Sequence, residues 1–418
     1  MNAVTPLEPN AARDEAWSVP LEDIDVSDPV LHQNDTIGFY FDRLREECPV
    51  HFGRTERFGD FWSVTRYKDI MAVDTNHAVY SSEPAITIRD LPSEFRRPNF
   101  ITMDPPKHDH QRKAVSPIVA PANLARMEST IRERTQRVLD GLPVDEEFDW
   151  VEHVSIELTT LMLATLFDFP LEDRKLLTYW SDVATVDLTS GGPIDTDEKR
   201  IAELTKCLKY FTGLWNERVN EEPRPDLISM MSHAEATRNM DPHEFLGNLI
   251  LLIVGGNDTT RNSMSGSIVA TNRYPDEDRK VRANPELMPS AVEEMLRFTS
   301  PVTHMARQAT QDVEIRGQQI RAGDTVVMLY GSANRDEEIF GPTSESFDIT
   351  RNPNPHIAFG AGEHACLGAQ LARLEARIMF EVLLGTYPTI ELTGDVTRLR
   401  ATMVPGVKRM PVRLGASI

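Results

Sequence analysis

The stretch Phe359-Gly360-Ala361-Gly362-Glu363-His364-Ala365-Cys366-Leu367-Gly368 decides the reading of this chain. One cysteine stands among three glycines, and glycine lets a backbone come close to something flat and bulky. Beyond it Leu367, Leu371, Leu374, Ile378 and Val382 recur at helical spacing. Gln370, Arg373, Arg377 and Glu381 fill another face. The spacing predicts an amphipathic helix that starts at the cysteine. Free N–H groups and the positive dipole end would then stabilise a thiolate.

A thiolate held in this way suits an axial haem ligand. Such a ligand must stay deprotonated, accept N–H bonds and let a macrocycle lie against the backbone. The ordinary alternative is a buried structural cysteine. In a chain with 17 Phe, 22 Gly and 3 Cys, the pattern F-x-x-G-x-x-x-C-x-G arises by chance about 3 × 10⁻⁴ times. At Phe359, Gly360, Cys366 and Gly368 the sequence resembles the cytochrome P-450 family of haem-thiolate monooxygenases.

Other elements extend the resemblance. Glu294-Met295-Leu296-Arg297 sets an acid and a base three apart on one helix face. The resemblance makes it a buried network propping the cysteine loop, with Arg351 as third member. His108 and Arg112 stand four apart and can reach one anion. By resemblance they form a haem-propionate clamp with Arg307 and His364. A carboxylate suits a guanidinium fork.

The apolar run Leu249–Val254 is broken at Gly255-Gly256-Asn257-Asp258-Thr259-Thr260, inside a helix expected from His243 to about Tyr274. Each of these residue types disfavours helix, so a kink or widened turn is expected. The resemblance places Asp258 and Thr259 at oxygen activation. Thr259 would bond dioxygen, Asp258 would help supply protons, and Gly255 would leave space beside them.

Composition agrees. Of 418 residues, 65 are acidic and 44 basic, a formal charge of −21. That argues against a surface built for nucleic acid. The three cysteines, Cys48, Cys207 and Cys366, lie far apart. They form no disulfide framework, so a reducing, cytoplasmic setting is expected. No apolar run approaches the roughly 20 residues of a transmembrane segment. Length alone suggests two domains. The resemblance replaces this with one mainly helical body carrying a small β lobe, residues 15–418, behind a flexible arm, residues 1–14. Strands are expected near Val50–Gly53, Phe61–Thr65, Val313–Arg316 and Thr325–Leu329, with a small hairpin at Val404–Leu414.

The segment Leu251–Gly266 further resembles soluble bacterial alkane terminal hydroxylases of this family. This implies haem b (iron protoporphyrin IX), O2 and a small hydrophobic substrate. It also implies electrons from NADH through a ferredoxin reductase and a [2Fe-2S] ferredoxin. By position in the family, Ile86, Ile88, Leu251, Val254, Val302, Met305, Met403 and Val404 would approach substrate. Arg89, Arg96 and Arg97 form either a carboxylate site at the pocket mouth, favouring fatty acids, or a solvated loop. Arg112, Lys113, Arg373 and Arg377 would offer the ferredoxin a positive patch. A non-catalytic haem sensor would need the cysteine loop but not the Asp258–Thr259 pair.

Overall fold

The computed structural model describes residues 9–88 and 97–416. Arg89 and Arg96 lie outside the described residues. The expected loose arm is shorter than its residues suggest: Pro9–Ser18 form helix α1, and Ala12 and Ala16 are buried. Small side chains let that helix sit closely on the body.

Five strands make the β lobe: β1 (Val50–Thr55), β2 (Gly59–Val64), β3 (Tyr80–Ser81), β4 (Met305–Ala309) and β5 (Thr325–Met328), in the order β1-β2-β5-β4-β3. The β2–β5 pair is parallel and the others antiparallel. Segments more than 200 residues apart in the chain thus share one sheet. Val313–Ile315 and Gln318–Ile320 form a separate hairpin. The expected C-terminal hairpin does not form. Val407–Arg409 pairs with Thr397–Arg398, and Pro411–Leu414 pairs with Glu147–Asp149 and Ile390–Leu392. Those longer-range partners offer two strand edges where a self-hairpin offers one.

The helical body is built on α2 (Tyr67–Asp74), α3 (Lys107–Val115), α4 (Pro121–Asp140), α5 (Ile156–Leu166), α6 (Lys175–Thr185), α7 (Pro242–Arg273), α8 (Met288–Thr299) and α9 (Ala369–Thr386). The largest apolar core joins α4, α5, α6, α7, α8 and α9. Helix α7 runs through all of it, 32 residues long. The expected break at Gly255–Thr260 is absent, and the helix is continuous there. Asn257, Asp258 and Thr259 find partners locally or on neighbouring helices, so tertiary packing overrides propensity. Thr259 donates to the Gly255 carbonyl (2.7 Å), and Ser263 to the Thr259 carbonyl (2.9 Å). The Asn257 carbonyl oxygen accepts from Thr159 on α5 (2.9 Å). Gly256 packs closely on α5: a Cβ there would meet Leu163 Cδ2 at 2.7 Å and the leucine would have to shift. Among the described residues no helix is long and apolar enough to cross a membrane.

Helix α9 hides one acid. Glu375 is 6% exposed, beside a cavity of about 20 Å³ lined by Met127, Thr135, Leu158 and Met264. Burial raises its carboxyl from the ordinary 4.5 to about 8. The folded chain therefore keeps a proton that the unfolded chain releases above pH 4.5. Stability present below pH 4.5 is lost as pH rises through 8, up to roughly 5 kcal/mol. Glu375→Gln removes the ionisation. Its melting temperature should match the parent near pH 4.5 and exceed it increasingly towards pH 9. Parallel melting curves across that range would refute the assignment.

Candidate functional site

The cysteine loop leads into α9 but does not begin it. Gly368 is the N-cap, and Cys366 lies two residues earlier. Gly360 and Gly362 have φ of 67° and 66°, so both turns need glycine. A Cβ on Gly362 would also meet the Asp74 carbonyl oxygen at 3.0 Å. The Cys366 N–H donates to the Phe359 carbonyl (2.8 Å), closing the loop. The Cys366 sulfur stands 4.0 Å from where a Gly368 Cβ would lie, which leaves that side of it clear.

Cys366 has accessible surface although it lies deep in the fold. Burial raises its thiol pKa, while the Gly368 N–H and the cations Arg112 and Arg373 act the other way. The net direction is upward. The loop's own dipoles and charges do not complete a thiolate, and a bound metal cation would.

Around the loop lies an accumulation of bases. His108 is buried in the first turn of α3, and its ring centroid is 4.2 Å from that of His364. Arg112 donates to the Ala365 carbonyl (2.5 Å). Ser82 and His364 Nε2 share a hydrogen bond of 2.9 Å. His108 Nε2 and His364 Nδ1 are buried without hydrogen-bond partners among the described residues. Burial, then the nearby Arg307, His108, Arg112 and His77, hold His364 down to about 3. Unpartnered nitrogens in a positive field fit a dianionic group such as a haem with two propionates. Arg307 reaches this cluster electrostatically, but its guanidinium is already engaged. It donates to Asp74 Oδ1 (2.8 Å) and to the Ala306 carbonyl (2.9 Å).

The Glu294–Arg297 pair is fully buried and doubly bonded, with both contacts at 2.7 Å. Arg351 Nε adds a bond to Glu294 (3.1 Å), as do Asn354 (3.0 Å) and the Asp348 N–H (2.8 Å). Arg297 donates onward to the carbonyls of Asn334, Ser344 and Ser346, each at 2.7 Å. Asn334 Oδ1 then accepts from the Ile357 N–H (2.8 Å), two residues before Phe359. The network thus reaches the cysteine loop through one amide. Neighbouring Glu293 binds Arg373 (2.6 Å) and His356 (2.9 Å), and Arg373 lies 4.6 Å over the Phe359 ring. Arg373 therefore braces the loop. Arg377 pairs with Glu128 and Glu381. Of the four expected patch residues, Arg373 and Arg377 are ion-paired, and Lys113 is exposed.

On α7 the residues Leu251, Val254, Gly255 and Thr259 share one face, spaced 3, 1 and 4 apart. All four keep accessible surface at mid-helix, and among the described residues nothing lies within 4 Å of where a Gly255 Cβ would be. Asp258 points elsewhere. It is buried, bound to Arg261 (3.0 Å), Asn257 (2.9 Å) and Ser181 on α6 (3.2 Å). Burial raises its carboxyl, and Arg261 opposes this. Adjacent in sequence, Asp258 and Thr259 do not bond each other's side chains. Ile86 and Ile88 are buried, while Val302, Met305, Met403 and Val404 are partly exposed. Backbone bonds tie Ile86 to Ala306 (2.8 Å) and Met403 to Thr303 (2.9 Å).

Arg297→Lys tests the prop. Lysine keeps the charge but cannot form the fork or serve three carbonyls. Breaking such a buried pair costs about 3–5 kcal/mol. The variant should accumulate without haem and show no thiolate-type spectrum of its reduced carbon monoxide complex. Normal haem content with an unchanged melting temperature would remove the network from this role.

Known proteins share this fold. Residues 60–403 match the family model described as Cytochrome P450. Linalool 8-monooxygenase of Pseudomonas putida is 34% identical over 412 residues, covering 94% of this chain and 99% of that protein. The methyl-branched lipid omega-hydroxylase of Mycobacterium bovis is 34% identical, covering 94% and 95%. Among solved structures, cytochrome P450-153 from Novosphingobium aromaticivorans has a TM-score of 0.87 at 41% identity, covering 93% of this chain and 99% of that one. CYP153D17 from a Sphingomonas species has a TM-score of 0.88 at 43% identity, covering 94% and 98%. With the cysteine loop, its buried prop and the basic cluster in place, the chain belongs to the cytochrome P450 family.

Proposed function

We propose that this P450 monooxygenase hydroxylates medium-chain alkanes at a terminal carbon. The balanced reaction takes an alkane, O2, NADH and a proton to the alcohol, water and NAD⁺. Electrons would pass through a ferredoxin reductase and a [2Fe-2S] ferredoxin. The observation that carries the reading is the α7 face: Leu251 and Val254 beside the open flank of Gly255, with Thr259 as the single hydroxyl. An apolar face with no charged side chain suits a substrate without a polar handle. The likeness to P450-153 structures supports it.

Haem held by Cys366 supplies dioxygen activation. His108, Arg112 and His364 would hold its carboxylates, with Arg307 behind them. The chain's own contribution at the apolar face is positioning and proton supply. The Thr259 hydroxyl can turn from the Gly255 carbonyl towards the open side and donate there. Asp258 locks α7 to α6 through Ser181 and Thr185. It can pass a proton only by leaving Arg261.

A second reading is omega-hydroxylation of fatty acids. Burial lowers the pKa of Arg97, Arg200 lowers it further, and Asp197 acts the other way. A substrate carboxylate would suit the Arg97 guanidinium. The omega-hydroxylase among the relatives points the same way.

Titration of the ferric protein with octane, octanol and dodecanoate separates the readings. The alkane reading expects octane to give the largest spin-state shift in the Soret band. A shift with dodecanoate alone would replace it by the fatty-acid reading. Thr259→Ala should keep haem and substrate binding and go on consuming NADH. Alcohol per NADH should fall about tenfold or more, with hydrogen peroxide in its place. Unchanged coupling would take Thr259 out of proton supply.

A further inference from the structure

Asp74 is the last residue of α2, where the negative end of a helix dipole disfavours a carboxylate. Its side chain is nonetheless 2% exposed and fully committed. Oδ1 accepts from Arg307 (2.8 Å). Oδ2 accepts from the Tyr330 hydroxyl (2.9 Å) and from the Ala361 N–H (2.9 Å). A Cβ on Gly360 would stand 3.4 Å from Oδ2. One carboxylate therefore binds β4 through Arg307, the chain after β5 through Tyr330, and the cysteine loop through Ala361.

The charge matters as much as the bonds. Arg307 is 2% exposed, and among the described residues its one ion-pair partner is Asp74. Arg307 is also the strongest cation acting on His364. The basic cluster beside Cys366 is thus one positive charge weaker than its residue list suggests, because Asp74 cancels Arg307. Glu363, the other acid near Asp74, is paired with His77.

We propose that Asp74 is a positioning residue for the haem: it neutralises Arg307 and fixes the Gly360–Ala361 turn, and so sets the charge the haem meets and the reduction potential of its iron. The inference rests on haem binding in this family and is independent of the alkane reading. A more positive surrounding favours the state that has gained an electron. Asp74→Asn keeps the shape and an oxygen for the Ala361 N–H, and loses the charge together with the oxygen that accepts from Arg307. It leaves Arg307 uncompensated.

The test is the ferric–ferrous midpoint potential of substrate-free holoprotein, measured spectroelectrochemically. Asp74→Asn should shift it to more positive values and Arg307→Gln to more negative ones. The double variant should return close to the parent, and Asp74→Glu should restore it. A purely structural carboxylate would not produce opposite shifts that cancel. A midpoint in Asp74→Asn equal to the parent's overturns the proposal. Should Asp74→Asn fail to yield holoprotein, the double variant decides: it should recover haem, since no buried charge is left alone. Failure of the double variant as well would reduce Asp74 to a strut for the turn and overturn the electrostatic role.

Discussion

Two side chains on one turn of α8, Glu294 and Arg297, are wholly removed from water and carry opposite full charges. A buried ion pair repays its desolvation only when its remaining lone pairs and protons are also satisfied. Here the surplus acceptors of Glu294 take Arg351, Asn354 and the Asp348 N–H, and the surplus donors of Arg297 take three backbone carbonyls. The result is that residues 334 to 357, which hold little regular structure, are pinned to a helix. The cysteine loop hangs from the end of that segment through Asn334 and Ile357. Position of the sulfur is therefore set by electrostatics one step away from it.

The site itself combines two opposite environments. On the cysteine side bases gather, with Asp74 at Arg307, Asp109 at His108 and Glu363 at His77. On the α7 side, the polar residues turn away and are bonded into α5 and α6, which leaves an apolar face bearing one hydroxyl. A charged macrocycle edge and an uncharged hydrocarbon can each find a matching surface across this division. The length of α7 makes it possible, since one helix reaches from the protein surface to the middle of the body.

Legibility followed range in the chain. The cysteine loop and the Glu294–Arg297 spacing could be read because their partners are neighbours within ten residues, where local geometry is nearly fixed. The strands at Val50–Thr55 and Gly59–Val64 were visible for the same reason. The α7 break was expected from propensity, and failed because Thr159, Ser181 and Thr185 supply bonds that no local rule foresees. Arg373 is expected in a docking patch or in a pair along its own helix, whereas its partner is Glu293, 80 positions earlier. Asp74 drew no attention at the end of an ordinary amphipathic helix.

The sequence by itself determined the family, because the cysteine loop and the Glu294–Arg297 pair depend on residue type at short spacing. Which face of α7 opens inward, that Glu375 lies in an apolar core, and that Arg307 is held by Asp74 were decided by the tertiary structure. Each depends on segments brought together from distant parts of the chain, Asp74 and Arg307 being 233 positions apart. The free energy of a charge depends on what is packed against it, and only the assembled fold specifies that.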